Sequence, residues 1–185
     1  MWVKSRLVLT TAFPPRSVGK FVRFDVDEVF VGQFEHALDI KGRIVLPASF
    51  RSAFDESGFL IKGSEGCLAL LTPARFRIMA ESMASRSEGG DVRHRSAKRS
   101  FGAGASRILP DKQGRIAIPE DLRSFAHLER DCVIVGAIDE VEIWDAVRWR
   151  EATEVGDSLL ESPDQFIDCL LYTSDAADEG LGVDL

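Results

Sequence analysis

The sequence predicts an α+β fold, rich in β-structure, in which two tandem units of similar sequence form an intramolecular pseudo-dimer. Residues 39–54 and 111–126 are two copies of one stretch, at an offset of 72. Apolar residues alternate along the segment before the first copy, as they do in half-buried strands. Two copies favour a pseudo-dimer, because a solenoid needs three or more repeats.

The two copies share seven identical residues in one short pattern. The pairs are Asp39/Asp111, Gly42/Gly114, Arg43/Arg115, Ile44/Ile116, Pro47/Pro119, Arg51/Arg123 and Ser52/Ser124. The likeness continues after a one-residue insertion, with residues 60–63 aligned to 133–136. The repeat therefore covers a whole structural unit, and we place the first unit at 29–85 and the second at 106–156.

The first unit is predicted as strand, turn, strand, short helix, strand pair and helix. Alternation over 30–38 indicates a half-buried strand, and Gly42 can take positive φ in the turn at 39–42. A return strand over 43–46 leads to Pro47, whose missing N–H suits the first position of a short helix. Strands at 59–62 and 67–71 follow. Thr72 caps a helix from Pro73 to about Ser85.

The second unit repeats this order. We expect strands at 107–109 and 115–118 around a turn at 111–114, then a short helix over 119–126. Strands at 132–135 and 141–144 follow, and Asp145 caps a helix to about Val155. Trp144 and Trp149 correspond to Leu71 and Phe76, which favours core or subunit contacts for both indoles.

Three segments lie outside the two units. Residues 1–28 form an irregular extension, and we expect the natural protein to start near Val29. Residues 86–105 form a basic helical linker, whose charges mark either a solvated face or a phosphate-facing surface. Residues 157–185 form an acidic disordered tail, and from about Cys169 they resemble translated sequencing adaptor.

Charge is unevenly distributed along the chain. The net charge is -7, and residues 157–185 contribute eight acidic and no basic residues. Residues 29–110 hold 12 basic and 8 acidic residues, whereas residues 111–156 hold 6 and 11. If the protein meets a polyanion, the first half is the better surface.

The sequence offers no support for an enzyme, a metal site or a membrane span. The three histidines are isolated from any catalytic or metal-binding partner, and His36 is expected to be a half-buried structural residue. Cys67 and Cys132 lie in apolar runs, which indicates buried free thiols in a reducing cytoplasm. No run approaches the roughly 18 apolar residues of a membrane span. We therefore expect no catalytic residue, metal, cofactor, small-molecule substrate or membrane partner.

The repeated Asp-x-x-Gly-Arg turn is the candidate functional element. Its aspartate can accept hydrogen bonds from the N–H groups of its own turn or hold a guanidinium. Its arginine emerges with five donors in a rigid fork, which suits phosphate or guanine in a major groove. A purely structural Asp–Arg pair is the alternative that spacing alone leaves open.

These motifs resemble those of the MraZ family of transcriptional regulators. Residues 30–43 followed by Leu46-Pro47 resemble the opening motif of that family, and residues 111–119 resemble its second motif. Residues 142–145 and Trp149 resemble its closing strand and helix. The likeness covers about residues 29–156 and excludes both ends.

The resemblance implies a chain of two SpoVT-AbrB units, which are swapped-hairpin structures also described as double-split β-α-β. It implies a ring-shaped homo-oligomer in the cytoplasm, associated with the nucleoid, that binds promoter direct repeats in double-stranded DNA. The regulated genes would be the division and cell-wall cluster. The implied DNA contacts are Lys41, Arg43, Lys112 and Arg115, with Asp39, Gly42, Asp111 and Gly114 organising the loops.

Two residues depart from the pattern of the family. Ile40 places an apolar side chain inside the first loop, and Pro110 removes a strand donor just before the second. Equal DNA contact by both copies is therefore not implied. The alternative function is a SpoVT-AbrB protein-interaction module of antitoxin type, which would bind another protein with little preference for DNA sequence.

Overall fold

The computed structural model describes residues 29–87 and 91–161. The predicted extension at 1–28, the tail from residue 162, and the adaptor-like residues from Cys169 lie outside this part of the chain. The described strands are β1 Phe30–Ala37, β2 Arg43–Val45, β3 Gly58–Lys62, β4 Leu68–Leu71, β5 Ser106–Ile108, β6 Arg115–Ala117, β7 Asp131–Ile138 and β8 Val141–Asp145. The described helices are α1 Ala48–Arg51, α2 Pro73–Ser87, α3 Val92–Ala103, α4 Glu120–Phe125 and α5 Ala146–Leu160, with 3-10 turns at Ser52–Phe54 and Ser64–Gly66.

The strand-rich α+β class expected from the sequence is confirmed. Six strands form one sheet in the order β1-β7-β8-β4-β3-β5, and β2 pairs with β6 in a separate two-stranded sheet. Every strand pair in the described residues is antiparallel. When the two copies of the repeat are exchanged, the order of the large sheet reads the same from its other edge.

Each copy of the repeat pairs its first strand with the other copy. β1 lies against β7 along its whole length, from Phe30 opposite Ile138 to Ala37 opposite Asp131. In the same way β5 lies against β3. The copies meet at β4 and β8 in the large sheet and at β2 and β6 in the small one. They therefore share one sheet and do not form separate cores.

Two strands end at residues other than those predicted. β7 continues to Ile138, beyond the predicted end at Val135, because β1 offers it eight residues to pair with. β5 stops at Ile108, two residues before Pro110, whose ring nitrogen has no hydrogen to donate.

The main core lies between the two sheets. It is formed by the inward residues of the small sheet, Ile44 and Ile116, against Leu60, Ile134 and Ile143 of the large one. Two rings of the short helical segment pack on β1: the Phe30 ring centroid lies 5.4 Å from that of Phe50 and 5.5 Å from that of Phe54. This packing fixes the small sheet as a layer on one face of the large sheet.

The linker helix α3 packs on the opposite face. Phe76 of α2 stacks on Phe59 at 4.0 Å between ring centroids, and Phe101 of α3 stacks on Phe76 at 5.5 Å. Residues 91–100 are all exposed, so the basic residues of α3 lie on a solvated surface.

The last helix is longer than predicted. Asp145 caps it, accepting from the N–H groups of Val147 and Arg148 at 2.9 and 3.3 Å. The helix continues to Leu160, past the predicted end near Val155 and into residues assigned to the acidic tail. Each further residue adds a backbone hydrogen bond, and one acidic side chain in this stretch is too little to break the helix.

Candidate nucleic-acid interface

The small sheet forms a ribbon, β2 with β6, that carries both loop arginines on one side. In its register Arg43 lies opposite Ala117, Ile44 opposite Ile116, and Val45 opposite Arg115. The two isoleucines are fully buried and point into the core. Because side chains alternate along a strand, Arg43, Val45, Arg115 and Ala117 lie on the outward face of the ribbon. The arginines are diagonal neighbours, with Cα atoms about 7–8 Å apart.

The first loop is closed by Asp39. Its Oδ1 accepts from the backbone N–H groups of Lys41 at 2.8 Å and Arg43 at 2.9 Å. Its Oδ2 accepts from Nε and Nη2 of Arg43 at 2.8 and 2.7 Å. Gly42 has φ +71°, a left-handed value that suits glycine and lets the chain turn back into β2.

The second loop has the same geometry. Asp111 Oδ1 accepts from the N–H groups of Gln113 at 2.8 Å and Arg115 at 3.0 Å, and Oδ2 accepts from Arg115 Nε and Nη2, both at 2.7 Å. Gly114 has φ +75°. The structural Asp–Arg pair, considered above as an alternative, is thus present in both loops, and it occupies only one edge of each guanidinium.

The pairing keeps both carboxylates ionised. The hydrogen bond from the Arg43 side chain is the main reason why the pKa of Asp39 falls to about 2. The pKa of Asp111 is also lowered, chiefly by the backbone N–H of Arg115. Each arginine side chain remains 30% exposed. The Nη1 groups make no hydrogen bond to any described residue.

The loop tips differ between the copies. The N–H groups bound to the two aspartate Oδ1 atoms belong to Lys41 and Gln113, so these residues occupy the same position. Lys112 is therefore the counterpart of Ile40, whose side chain is fully exposed, and not of Lys41. Both lysines are exposed, but they lie at different points of their loops.

Two arginines to which the sequence analysis gave no role lie against these loops. Nη1 of Arg123 lies where a Cβ on Gly42 would stand, 1.6 Å from that position. Nε of Arg51 lies 2.3 Å from the corresponding position on Gly114. The sequence could have indicated a role for them, because Arg51 and Arg123 form one of the seven identical pairs of the repeat.

The other side chains singled out in the sequence have the structural environments predicted for them. His36 is half-buried, as expected, and its pKa is lowered by burial and then by Arg51. Cys67 and Cys132 are buried free thiols, as expected, and burial raises their pKa values to about 12 and 11. Trp144 belongs to the buried residues, with its indole N–H donating to Glu142 at 2.8 Å.

The described residues hold neither a cluster of metal-ligating side chains nor a membrane-spanning helix. Residues 29–87 and 91–161 contain no group of three or more His, Cys, Asp or Glu side chains arranged to hold a metal ion. Over the same ranges, none of the helices has both the length and the apolar character needed to cross a bilayer.

Comparison with known proteins identifies relatives across most of the chain. A family profile described as "MraZ protein, putative antitoxin-like" matches residues 29–94 and 101–164. The Transcriptional regulator MraZ of Pediococcus pentosaceus is 39% identical over 126 residues, which is 68% of this chain and 87% of that protein. Proteins of the same name are 38% identical in Symbiobacterium thermophilum (67% and 89% covered) and 42% identical in Kocuria rhizophila (66% and 85%).

Proposed function

This chain belongs to the MraZ family, and from that premise we propose that it is a transcriptional regulator that binds double-stranded DNA through the β2–β6 ribbon. One observation carries the proposal. Arg43 and Arg115 lie on the same outward face of the ribbon, each held by an aspartate along only one edge of its guanidinium. No catalytic role is proposed, and the three relatives named above are regulators by name.

The dimensions of the ribbon suit a major groove. Such a groove is about 12 Å wide and admits a two-stranded β-ribbon. The other two residues of the outward face, Val45 and Ala117, have short apolar side chains.

The buttressing aspartates suit base reading. Asp39 takes Nε and one hydrogen of Nη2, which leaves the edge formed by Nη1 and Nη2 for a guanine or a phosphate. A side chain already held in place loses less conformational entropy when it binds. The exposed Lys41 and Lys112 supply phosphate contacts beside it.

Several ribbons acting together give the affinity. We propose that the chain is a pair of fused SpoVT-AbrB units, supported by a strand order that is unchanged when the copies are exchanged. It assembles into a homo-oligomeric ring, so that weak ribbons meet successive promoter direct repeats and bind by avidity. The regulated genes are the division and cell-wall cluster, and the protein acts in the cytoplasm on the nucleoid.

Fluorescence anisotropy with a duplex from the promoter of that cluster tests the proposal. The expected result is tighter binding to direct repeats than to a scrambled duplex, weakening steeply with salt. Arg43→Ala with Arg115→Ala should raise the Kd by roughly 5- to 150-fold for each arginine, the equivalent of the 1–3 kcal/mol of a bidentate contact. Arg93→Ala is the matched control, because Arg93 is an exposed arginine on α3. Equal binding by the double variant and the control would reject the ribbon as the DNA-binding surface.

A second candidate is an antitoxin-like protein-interaction module, which the description of the family profile favours. A cleft of about 510 Å³ between β1, β7 and α5, lined by His36, Trp149 and Arg150 among others, is the surface a protein segment would use. This function predicts a stoichiometric complex with another protein and equal affinity for promoter and scrambled DNA. Sequence-selective binding by the purified protein alone would reject it.

A further inference from the structure

Arg51 and Arg123 occupy equivalent places just after the two ribbon strands. Each belongs to a short helix, α1 or α4, that follows the proline of its own copy. Both side chains are half-buried, and neither has a carboxylate within ion-pair distance among the described residues. A guanidinium held without a carboxylate needs another structural reason.

Arg123 forms a clamp on the first loop. Its Nη1 donates to the carbonyl oxygen of Ile118 at 2.8 Å. The N–H of Ile118 donates in turn to the carbonyl oxygen of Gly42, also at 2.8 Å. The same guanidinium covers Gly42, filling the space that a Cβ would take. Ile118 and Arg123 belong to the second copy, whereas the loop that they hold belongs to the first.

Arg51 forms the reciprocal clamp on the second loop. Its Nε donates to the carbonyl oxygen of Leu46 at 2.9 Å, and the N–H of Leu46 donates to the carbonyl oxygen of Gly114 at 2.8 Å. The Arg51 side chain covers Gly114, with Nε, Cζ and Cδ all within 2.8 Å of where a Cβ would lie. Each arginine thus holds the loop of the other copy.

The clamps connect directly to the loop arginines Arg43 and Arg115. Gly42 precedes Arg43 and donates its N–H to the carbonyl oxygen of Asp39 at 2.9 Å. The N–H of Asp39 donates to the carbonyl oxygen of Arg43 at 2.8 Å, which closes the loop. Displacement of Gly42 therefore displaces the aspartate that orients the Arg43 guanidinium.

We propose that Arg51 and Arg123 are positioning residues that act crosswise: Arg123 orients Arg43, and Arg51 orients Arg115. This inference rests on the proposed function, since it assigns these residues an effect on DNA binding. It adds a second reason, beside the positive φ, why glycine suits both turns, because a Cβ at either position would displace the opposing arginine.

Exchange of the arginine Nε–H protons with water tests, in the free protein without DNA, whether each positioning arginine acts on the loop of the other copy. The Nε–H groups of Arg43 and Arg115 are bonded to aspartates, so NMR should find both protected from exchange. Arg123→Ala should accelerate exchange at Arg43 and leave Arg115 protected, and Arg51→Ala should do the reverse. A merely structural role would accelerate both signals equally, and that result, or an effect confined to the same copy, would overturn the proposal.

Binding of the promoter duplex tests the consequence. Arg123→Ala should weaken binding about tenfold in the intact protein, within the range for coupled contacts. In a protein that already carries Arg43→Ala, adding Arg123→Ala should raise the Kd by less than about twofold. Adding Arg51→Ala to the same protein should still weaken binding as much as it does in the wild type. Equal, additive losses in every background would mean that Arg51 and Arg123 contact DNA themselves, and would overturn the positioning role.

Two controls keep the outcomes separate. If an alanine variant does not fold, Arg123→Lys and Arg51→Lys keep the charge but lose the planar fork, and the same crossed pattern of exchange is expected. If the wild-type protein does not bind the promoter duplex, the proposed function fails, whereas the exchange measurement still decides whether the clamps are crossed.

Discussion

Gly42→Ala is the single substitution whose effect the structure defines most closely. A Cβ at this position would lie 1.6 Å from Nη1 and 2.6 Å from Cζ of Arg123. The arginine must therefore move away, and its hydrogen bond to the carbonyl oxygen of Ile118 is lost. The alanine must also adopt φ near +71°.

The free-energy cost follows from these two effects. A left-handed conformation costs a non-glycine residue about 1–2 kcal/mol. Loss of a hydrogen bond from a charged donor costs about 1.5–3 kcal/mol. Alanine restricts the unfolded chain and returns about 0.4–1 kcal/mol. These terms sum to a net destabilisation of about 1.5–4.5 kcal/mol, equivalent to a fall of roughly 3–18 °C in Tm for a chain of this size.

Thermal unfolding at fixed protein concentration measures this change. Gly102→Ala is the matched control, because Gly102 lies in α3 and a Cβ there would meet nothing within 4 Å. That variant should be about 0.5–1 kcal/mol more stable, since alanine favours a helix interior over glycine. If Gly42→Ala unfolded at the wild-type temperature, the clamp of Arg123 over this turn would be refuted.

Three further predictions concern titratable groups. The carboxyl pKa of Asp39, about 2 in the wild type, should rise towards 3.8 in Arg43→Ala. A carbon-detected NMR titration measures this pKa, and an unchanged value would mean that the hydrogen bond from the Arg43 side chain does not lower it. Cys67 and Cys132, with pKa values of about 12 and 11, should resist alkylation by iodoacetamide at pH 8 until the protein is denatured. Peptide mass spectrometry measures the labelling, and rapid labelling of either cysteine in the native protein would contradict this prediction. Because the pKa of His36 is lowered on folding, the unfolded state binds the proton first, so stability should fall as the pH drops below about 6.5. His36→Gln should flatten that dependence in urea unfolding, and an unaltered slope would exclude His36 as its source.

Local features of the sequence were enough to predict the two loops. A turn of five residues closed by its own aspartate and glycine depends on neighbours in the sequence, so repetition of the motif predicted repetition of the geometry. Gly42 and Gly114 take the positive φ that this turn requires. The caps at Thr72 and Asp145 were predictable for the same reason.

Pairing between the copies could not be deduced in the same way. The apolar pattern of β1 fits any antiparallel partner, and nothing in it distinguishes β3 of its own copy from β7 of the other. The role of Arg51 and Arg123 depends on that exchange, because each side chain lies over a glycine of the opposite copy. The sequence analysis gave neither arginine a role for this reason, although both are identical between the copies.

Site-directed disulfide cross-linking tests the central claim most directly. A cysteine at Val45, on the outward face of the ribbon directly opposite Arg115, can react with a thiol tethered to a base in the major groove of a direct-repeat duplex. The buried Cys67 and Cys132 stay unreactive, Cys169 is replaced by serine, and a cysteine at Gly102 on α3 is the control. Cross-linking from Val45→Cys and none from Gly102→Cys is predicted. Cross-linking from Gly102→Cys alone would contradict the ribbon as the surface that enters the groove.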